Sequence, residues 1–334
     1  MNVLSLFDGI SCGRIALERL GIEVDNYYAS EIDKYAIQIA QKNYPDTKQI
    51  GDVLDWRSWD IDWSSIDLVS GGFPCQSWSL AGKQLGDKDE RGMMLWVMLD
   101  IMKKVIENNP NAYYLMENVR MKKEFEEYIT YHTEQALPDV NKYLINSAKL
   151  SAQNRVRYYW TNIKNVEQPK EKGIVLRDIL EDTNYIQDKE QMIKTSPRQI
   201  GVAADIRGYD AIKRVYSPEG KSPTLTTCGG GHREPKVVCG AWRGRYQKDK
   251  TTKQMLELRK DEKTNTITTV QKDNVLTRND VYWRKLTPLE CERLQTVPDN
   301  YTEGVSNTQR YKMLGNSFTV DVIAHIFKNM ELPK

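Results

Sequence analysis

The chain has 334 residues, of which 40% are hydrophobic and 28% charged, and its formal net charge is +2. These values are typical of a globular protein with one large domain or two. The longest apolar runs, such as the one at 93–99, are too short to span a bilayer, and the first residues lack the pattern of a signal peptide. Five scattered cysteines without a C-x-x-C pair, and three distant histidines, predict neither a disulfide framework nor a metal site. We therefore expect a cytoplasmic protein without membrane contact.

Strand and helix patterns alternate over the first half of the chain. Apolar runs of strand length are followed by turns and then by stretches with helical spacing. The predicted strands are 2–7, 25–33, 66–75, 112–119 and 151–162, and the predicted helices are 13–21, 33–45 and 93–110. This alternation predicts a parallel sheet wrapped by helices, which is a doubly wound α/β fold.

The character of the sequence changes near residue 170. Residues 183–280 contain short Thr-rich segments, glycine-rich turns and many Lys and Arg residues, whereas residues 46–67 are rich in Asp. Helical periodicity is weak in this middle region, so we predict short strands there. The charge asymmetry predicts a basic part of the protein that meets a polyanion.

Helical patterns return at 287–301 and 317–330. The first of these opens with a capping signal, because Thr287 is followed by proline and then by Glu290 at the third position. We therefore predict two domains. The larger comprises residues 1–178 together with 284–334, and the smaller, β-rich domain comprises residues 179–283.

The first predicted strand ends in FDGISCG, residues 7–13, and the second ends in SEID. Glycines between a first strand and a first helix let the backbone approach a ligand, and an acid ending the second strand commonly accepts hydrogen bonds from a ribose. Glu31 lies 22 residues after Gly9, close to the spacing that this role needs. Asp52 follows a third short strand and can accept from an adenine amino group. A structural turn or a surface acid would explain each residue alone, but together they indicate a nucleoside site.

Cys75 stands in SGGFPCQSWSLAGKQ, directly after the fourth strand. Ligands bind at this carboxyl edge of an α/β sheet, and a reachable thiol there can form a thiolate and act as a nucleophile. A buried, inert cysteine is the alternative.

Glu117 lies near the end of the next strand. Arg155 and Arg157 alternate along the strand after it, so we expect both guanidiniums on one face. Such a pair suits a planar polar ligand or a phosphate, with a solvated edge strand as the alternative.

The chain resembles the DNA (cytosine-5)-methyltransferase family of bacterial and phage type through an ordered set of motifs. These are FDGISCG, SEID, GD, GGFPCQSWS, ENV and QNRVR, followed near the end by LTPLECERLQTVPDNY and MLGNSFTVDVIAHI. The resemblance extends from residue 2 to about residue 328, except for the middle region. It implies a Rossmann-like S-adenosylmethionine-dependent methyltransferase domain with a smaller β-rich target-recognition domain.

The resemblance also implies a reaction and the residues that perform it. In this family a cysteine thiolate adds to C6 of a cytosine flipped out of duplex DNA, and C5 then takes the methyl group of S-adenosyl-L-methionine. The implied catalytic residues are Cys75 as nucleophile, Glu117 at N3 and the exocyclic amine, Arg157 at O2, Arg155 supporting the pocket and Asn118 fixing the cysteine loop. The implied cofactor-binding residues are Phe7, Asp8, Gly9, Gly13, Glu31, Ile32, Asp52, Val53, Pro74, Asn316 and Ser317.

DNA contacts are implied for a mobile lid after the cysteine and for a Thr-Leu segment of the middle region. The implied DNA-binding residues are Gln76, Ser79 and Lys83 in the lid, and Thr224, Leu225 and Arg233 in the recognition segment. Arg233 would read a guanine, with a phosphate contact or a solvated side chain as the alternative.

The resemblance further implies a monomeric enzyme of a bacterial or phage-infected cell that serves restriction–modification or evasion of restriction, with a cognate restriction endonuclease as a candidate partner. Two alternatives remain open. One is an RNA cytosine-5 methyltransferase on the same scaffold, against which the large central region argues. The other is a non-catalytic DNA-binding homologue, against which the intact Cys75, Glu117 and Arg157 argue.

Overall fold

The structure, a computed structural model, describes residues 1–74, 78, 92–181, 197, 199–202, 206, 209–218, 220–225, 235–238, 241–246, 252–257 and 283–331. Its largest sheet has seven strands. They are β1 (Asn2–Leu6), β2 (Asn26–Ser30), β3 (Lys48–Gln49), β4 (Leu68–Gly71), β5 (Tyr113–Val119), β6 (Asn141–Asn146) and β7 (Val156–Thr161). Their order across the sheet is β3-β2-β1-β4-β5-β7-β6.

The sheet is mixed. The pairings among β1 to β5 are parallel, whereas β7 lies between β5 and β6 and is antiparallel to both. The predicted α/β class is confirmed, but the prediction of a wholly parallel sheet is wrong at β7. A parallel connection needs a long crossover, whereas the short link from β6 to β7 returns the chain directly as an antiparallel neighbour.

Helices cover both faces of this sheet. The described helices, in chain order, are α1 (Cys12–Arg19), α2 (Lys34–Asn43), α3 (Met94–Asn108), α4 (Lys123–Ala136), α5 (Asp210–Lys213), α6 (Pro288–Leu294), α7 (Asn307–Asn316) and α8 (Val320–Phe327). Helix α5 is a short helix of the middle region, has no buried residue and does not contribute to the two cores of this sheet. The capping box predicted for α6 is present, since Thr287 and Glu290 bond each other's backbone amides. Among the described residues, no helix is both long and apolar enough to cross a membrane.

Strand β1 shows how one sheet buries two cores. Its Val3 side chain belongs to a core with α1, α2 and α8, whereas Leu4 and Leu6 belong to a core with α3 and α4. Successive side chains of a strand point to opposite faces, so an apolar run of this kind predicts a strand covered on both sides. The carboxyl end of β1 is thereby fixed in the interior of the sheet, between β2 and β4.

Short strands also form a second sheet in the middle region. These are β8 (Gln199–Val202), β9 (Arg214–Tyr216), β10 (Lys236–Val238) and, after a separate hairpin of β11 (Ala241–Tyr246) and β12 (Thr252–Glu257), β13 (Trp283–Lys285). The sheet order is β13-β10-β9-β8. These strands lie in the part of the sequence for which short strands were expected, and β13 includes the predicted boundary at residue 284.

Candidate active site

The turn between β1 and α1 carries three residues in the left-handed backbone conformation. Phe7, Gly9 and Ser11 have φ angles of 53°, 63° and 59°. This conformation is costly for residues other than glycine, and strained residues cluster at ligand sites. A hydrogen bond of 3.1 Å from the Asp8 amide to the Ser30 carbonyl holds the turn to the end of β2. The backbone conformation of the predicted glycine turn is therefore fixed by contacts within the protein.

The side chain of Asp8 points into the protein beneath this turn. Its carboxylate accepts hydrogen bonds from the hydroxyls of Tyr27 at 2.7 Å and Ser11 at 2.6 Å. Burial raises the pKa of Asp8, and burial also raises the pKa of Tyr27 well above its usual value. Asp8 therefore supports the turn from below, and its predicted role in cofactor binding stays a prediction.

Glu31 joins the ends of the first two strands. Its carboxylate accepts hydrogen bonds from the backbone amides of Gly9, Ile32 and Asp33, each at 2.8 Å. An ionised carboxylate offers about four acceptor positions, so roughly one remains for a ligand. The remaining position suits a hydroxyl donor such as a ribose, which is the role predicted for this residue.

A cleft of about 290 Å³ opens beside Glu31. In the part of the chain that the structure describes, its lining residues are Phe7, Ser30, Glu31, Ile32, Asp52, Val53, Leu54, Pro74 and Met94. Six of these nine residues are predicted cofactor residues, while Ser30, Leu54 and Met94 were missed. Ile32 and Leu54 are apolar but 73% and 55% exposed, as expected for walls that an apolar ligand would cover. Asp52 accepts from the Leu54 amide at 2.9 Å, which fixes its carboxylate at the cleft.

The remaining predicted cofactor residues lie outside the described lining of this cleft. Asn316 ends α7 with an exposed side chain, and the buried Ser317 donates its hydroxyl to the Met313 carbonyl at 2.6 Å. A Cβ on Gly13 would meet the Tyr27 hydroxyl at 3.6 Å, an ordinary contact, so packing within the protein does not require glycine there.

A larger cleft of about 420 Å³ lies elsewhere, against Arg14, Glu18 and Tyr44 among others. The Arg14 guanidinium stacks 4.4 Å from the Tyr44 ring centre and pairs with Asp46, so its charge is already engaged. The lining residues of this cleft include no predicted site residue, and its size alone does not make it the functional site.

Glu117 and Arg157 form an ion pair where the carboxyl end of β5 lies beside the beginning of β7. Arg157 Nε lies 3.0 Å from Glu117 Oε1, and the two side chains are 11% and 12% exposed. The antiparallel register places Glu117 opposite Tyr159, so Arg157 is its diagonal neighbour on the same face. This geometry occupies Oε1 and leaves Oε2 as the acceptor for another group.

Gly72 borders that second oxygen and also contacts the ring of Phe318, and neither residue was predicted as a site residue. A Cβ on Gly72 would lie 3.0 Å from Glu117 Oε2 and 3.2 Å from Phe318 Cε1. Only a glycine lets the carboxylate and the ring approach this loop so closely. The GG pair before the cysteine was a usable signal for Gly72, whereas nothing in the local sequence singles out Phe318.

The cysteine loop leaves the described part of the chain between the cleft and Glu117. Pro74 lines the cleft, and Asn118 donates its amide to the Phe73 carbonyl at 3.1 Å, in keeping with its predicted role. Trp78 is buried with its ring 6.3 Å from that of Phe73. The predicted residues Cys75, Gln76, Ser79 and Lys83, together with Arg233 of the middle region, lie outside the described residues.

Arg155 does not share a ligand with Arg157. Strand β7 begins at Val156, so Arg155 precedes it, and its guanidinium donates to the carbonyls of Leu225, Gly315 and Ser317 at 2.9 to 3.2 Å. The residue is 4% exposed. The two guanidiniums thus have different partners, although both act electrostatically on the buried Tyr159. The contacts of Arg155 are those of a positioning residue, and the expectation that both guanidiniums occupy one face stays a prediction.

Thr224 and Leu225 lie against the segment before β7. Thr224 donates its hydroxyl to the Asn154 carbonyl at 2.7 Å, and Leu225 is only 3% exposed. Direct contacts of these two side chains with DNA stay a prediction. Their observed contacts attach the start of the predicted recognition segment to the catalytic strand.

A strained turn after β1, a cleft at the carboxyl edge of the sheet and the Glu117–Arg157 pair together form the candidate active site. The family model for C-5 cytosine-specific DNA methylases matches residues 1–332. The chain therefore belongs to this family and is a cytosine-5 DNA methyltransferase by class.

Individual relatives are similar in sequence to this chain over nearly their whole length. The orphan methyltransferase M.SPBetaI of Bacillus phage SPbeta is 29% identical over 99% of this chain and 97% of its own. The type II methyltransferase M.HhaI of Haemophilus parahaemolyticus is 27% identical over 99% of this chain and 94% of its own.

Solved structures share the fold. The Entamoeba histolytica methyltransferase EhMeth matches with a TM-score of 0.64 and 17% identity, over 99% of this chain and 97% of that one. Spodoptera frugiperda DNMT2 matches with a TM-score of 0.57 and 18% identity, over 98% of this chain and 99% of that one. At these identities the likeness concerns the fold alone.

Proposed function

We propose that the enzyme transfers the methyl group of S-adenosyl-L-methionine to C5 of a flipped-out cytosine in a specific duplex DNA site. One observation carries this proposal. Within three residues the cysteine loop borders both parts of the site, because Gly72 faces the Glu117 carboxylate and Pro74 lines the cleft. Cys75 follows directly, so a base held at Glu117 and a cofactor in the cleft would both be within its reach.

The cleft residues fit an adenosine-containing cofactor. Phe7, Ile32 and Val53 supply apolar surface for a base, and Glu31 keeps one acceptor position for a ribose hydroxyl. Asp52 presents a carboxylate that can accept from an exocyclic amine. When bound, S-adenosyl-L-methionine would supply an electrophilic methyl group. The protein's part is to orient that cofactor against the base and to exclude water.

In the proposed reaction the Cys75 thiolate forms a bond to C6 of the cytosine, and C5 becomes nucleophilic. A proton held between Glu117 Oε2 and N3 stabilises the negative charge that builds on the ring, and the carboxyl group also accepts a hydrogen bond from the exocyclic amine. Arg157 holds the other carboxylate oxygen and contacts O2 of the base. After methyl transfer solvent water takes the C5 proton, the electron pair of that C–H bond restores the C5–C6 double bond, and the C6–S bond breaks to release 5-methylcytosine and the thiolate. Asn118 keeps the loop in place through the Phe73 carbonyl.

The remaining assignments concern DNA and biological context. We propose that the middle region reads the target sequence, and that Gln76, Ser79 and Lys83 of the lid, with Thr224, Leu225 and Arg233, contact the DNA. Asn316 and Ser317 would complete the cofactor site. The enzyme would act as a monomer in restriction–modification or evasion of restriction, since its relatives include type II and orphan phage methyltransferases.

The direct test is to incubate the protein with labelled S-adenosyl-L-methionine and, separately, duplex DNA and tRNA. We expect label only in DNA, at C5 of cytosine within a defined sequence, as read by bisulfite sequencing. Label in tRNA alone would favour the RNA-modifying alternative. Sequence-specific DNA binding without any transfer would favour a non-catalytic homologue.

A second test separates the chemical role of Glu117 from a structural one. We expect Glu117→Gln to lower kcat by roughly 10²-fold or more, because donors and acceptors aimed at developing charge are typically worth that much. DNA affinity should change much less. Glu126→Gln is the matched control, since Glu126 is also a buried, paired carboxylate, on α4. Equal losses in kcat and DNA affinity for Glu117→Gln would indicate a structural role.

A further inference from the structure

Residues 222–225, the start of the predicted recognition segment, lie alongside residues 152–155. The Ser222 amide donates to the Ala152 carbonyl at 2.6 Å, and the Asn154 amide donates to the Ser222 carbonyl at 2.8 Å. The Thr224 hydroxyl continues the series with its bond to the Asn154 carbonyl. The segment is therefore attached in register to the chain that leads into β7.

Gln153 extends this attachment through its side chain. Its Oε1 accepts from the Leu225 amide at 3.0 Å, and its Nε2 donates to the Leu294 carbonyl at 3.3 Å and to Gln295 Oε1 at 3.2 Å. Gln153 and Gln295 both have 0% exposed area. The recognition segment is thus bonded through a buried amide to the end of α6.

Gln295 is hydrogen-bonded in turn to the segment from Leu314 to Thr319. Its Nε2 donates to the carbonyls of Leu314 at 2.6 Å and Ser317 at 3.3 Å, and its Oε1 also accepts from the Thr319 hydroxyl at 2.8 Å. Two glutamine side chains therefore connect Leu225 with the segment around Ser317. Neither of them lines the cleft or contacts Glu117 in the described part of the chain.

The chemistry of this pair requires glutamine. Each side chain uses both a carbonyl and an amino group, so an apolar residue would leave buried amides and carbonyls without partners. Hydrogen bonds in a buried, low-dielectric setting also hold their geometry more firmly than exposed ones. The pair is therefore suited to fixing the distance between the segment at Leu225 and the segment at Ser317. The reading of bases depends on such a distance, because base contacts must be correctly placed.

We propose that Gln153 and Gln295 are positioning residues that hold the recognition segment in fixed register with the site of methyl transfer, and that they thereby set sequence discrimination. This inference rests on the proposed function of the middle region. Phosphate contacts determine affinity, whereas correctly placed base contacts determine sequence, so a shift of the segment should alter relative rates among sites.

The test compares Gln153→Met and Gln295→Met with the matched control Gln41→Met. Gln41 on α2 donates to the Thr47 carbonyl and belongs to neither site. Each protein methylates a library of duplexes that contain the preferred site and all its single-base variants, and bisulfite sequencing gives the relative rates. We expect both test variants to lower the preference for the cognate site about fivefold or more, because one well-placed base contact gives discrimination of at least this order. The control should keep the wild-type ratio.

Gln153→Glu serves if the methionine variant does not fold. A neutral carboxyl keeps the acceptor for Leu225 and one donor for Gln295 but loses the second donor, so we expect the preference for the cognate site to fall below that of wild type by less than fivefold. A uniform loss of rate at all sites, with the ratio intact, would overturn the proposal because it would indicate a structural role only. Failure of the wild-type protein to methylate DNA would instead contradict the proposed function, so the two failures are distinguishable.

Discussion

The two glycines at the end of β4 should fail in different ways when replaced by alanine. A Cβ on Gly72 would lie 3.0 Å from Glu117 Oε2 and 3.2 Å from Phe318 Cε1, whereas a Cβ on Gly71 would lie 2.4 Å from the Leu6 carbonyl oxygen. The first obstacle is the end of a side chain in the active site. The second is the backbone of β1, an interior strand of the sheet. We therefore expect Gly72→Ala to lower turnover and Gly71→Ala to lower stability.

The contact distances give the magnitudes. Ordinary contacts begin near 3.4 Å, so the Glu117 carboxylate must retreat by about 0.4 Å while Arg157 holds its other oxygen. A misplacement of about 1 Å can lower a rate by roughly 10²-fold, so we expect kcat of Gly72→Ala to fall about fivefold to tenfold. Strand β1 pairs with both β2 and β4 and cannot shift alone. Gly71→Ala should therefore lower the free energy of unfolding by about 3 kcal/mol or more.

Steady-state methyl transfer and urea unfolding, measured on the same preparations, test both statements. The Kd of Gly72→Ala for S-adenosyl-L-methionine should stay near that of wild type, because Gly72 is outside the described lining of the cleft. Wild-type turnover in Gly72→Ala would refute the assignment of Oε2 to the base. Wild-type stability in Gly71→Ala would refute the packing argument at β1.

Two further predictions concern buried ionisable groups. Burial raises the pKa of Cys12 from 9.0 to about 12, so the unfolded chain loses this proton first and stability falls as pH rises above 9. Between pH 9 and 10 the wild type should lose about 1 kcal/mol more unfolding free energy than Cys12→Ala, and equal losses would contradict the assignment. Lys221 has no exposed side-chain area and donates to the carbonyls of Ala148, Ser151 and Ile174. Lys221→Met should lower the urea-derived unfolding free energy by about 3 kcal/mol, and an unchanged value would show that these carbonyls find other partners.

Local sequence patterns predicted that several of the proposed cofactor residues meet in one place. The apolar run of β1, the glycine turn and the acid after β2 are close in sequence, and strand ends in a doubly wound fold meet at one edge. Phe7, Glu31, Ile32, Asp52, Val53 and Pro74 accordingly line one cleft. The positions of these residues follow from the order of strands, turns and helices along the chain, and this order can be read from the sequence.

Side-chain direction could not be predicted in the same way. Asp8 and Arg155 stand in the expected motifs, yet Asp8 turns inward to Tyr27 and Arg155 bonds three backbone carbonyls. A motif gives the position of a residue, whereas its partners come from segments distant in the chain. Gln153 and Gln295 were missed for the same reason, because they are 142 residues apart and meet only in the fold.

The part of the sheet that contains β6 and β7 could not be predicted from local sequence patterns. Helix α4 (Lys123–Ala136) and strand β6 were not predicted, and the direction of β7 was wrong. The buried residues of helix α4 are Glu126, Ile129 and Thr133, and two of these three are polar, so its buried face does not stand out as an apolar pattern. The antiparallel placement of β7 between β5 and β6 is a choice among non-local pairings, which no local pattern determines.

Covalent trapping tests the central claim most directly. Duplex DNA with 5-fluorocytosine at the target position should form a denaturant-stable adduct with the wild-type enzyme and S-adenosyl-L-methionine, because fluorine at C5 leaves no proton to remove and elimination of the thiolate is blocked. We expect mass spectrometry to locate the adduct on the peptide that contains Cys75, and we expect no adduct with Cys75→Ser. An active enzyme that forms no adduct, or one joined to the DNA through a different residue, would contradict the account.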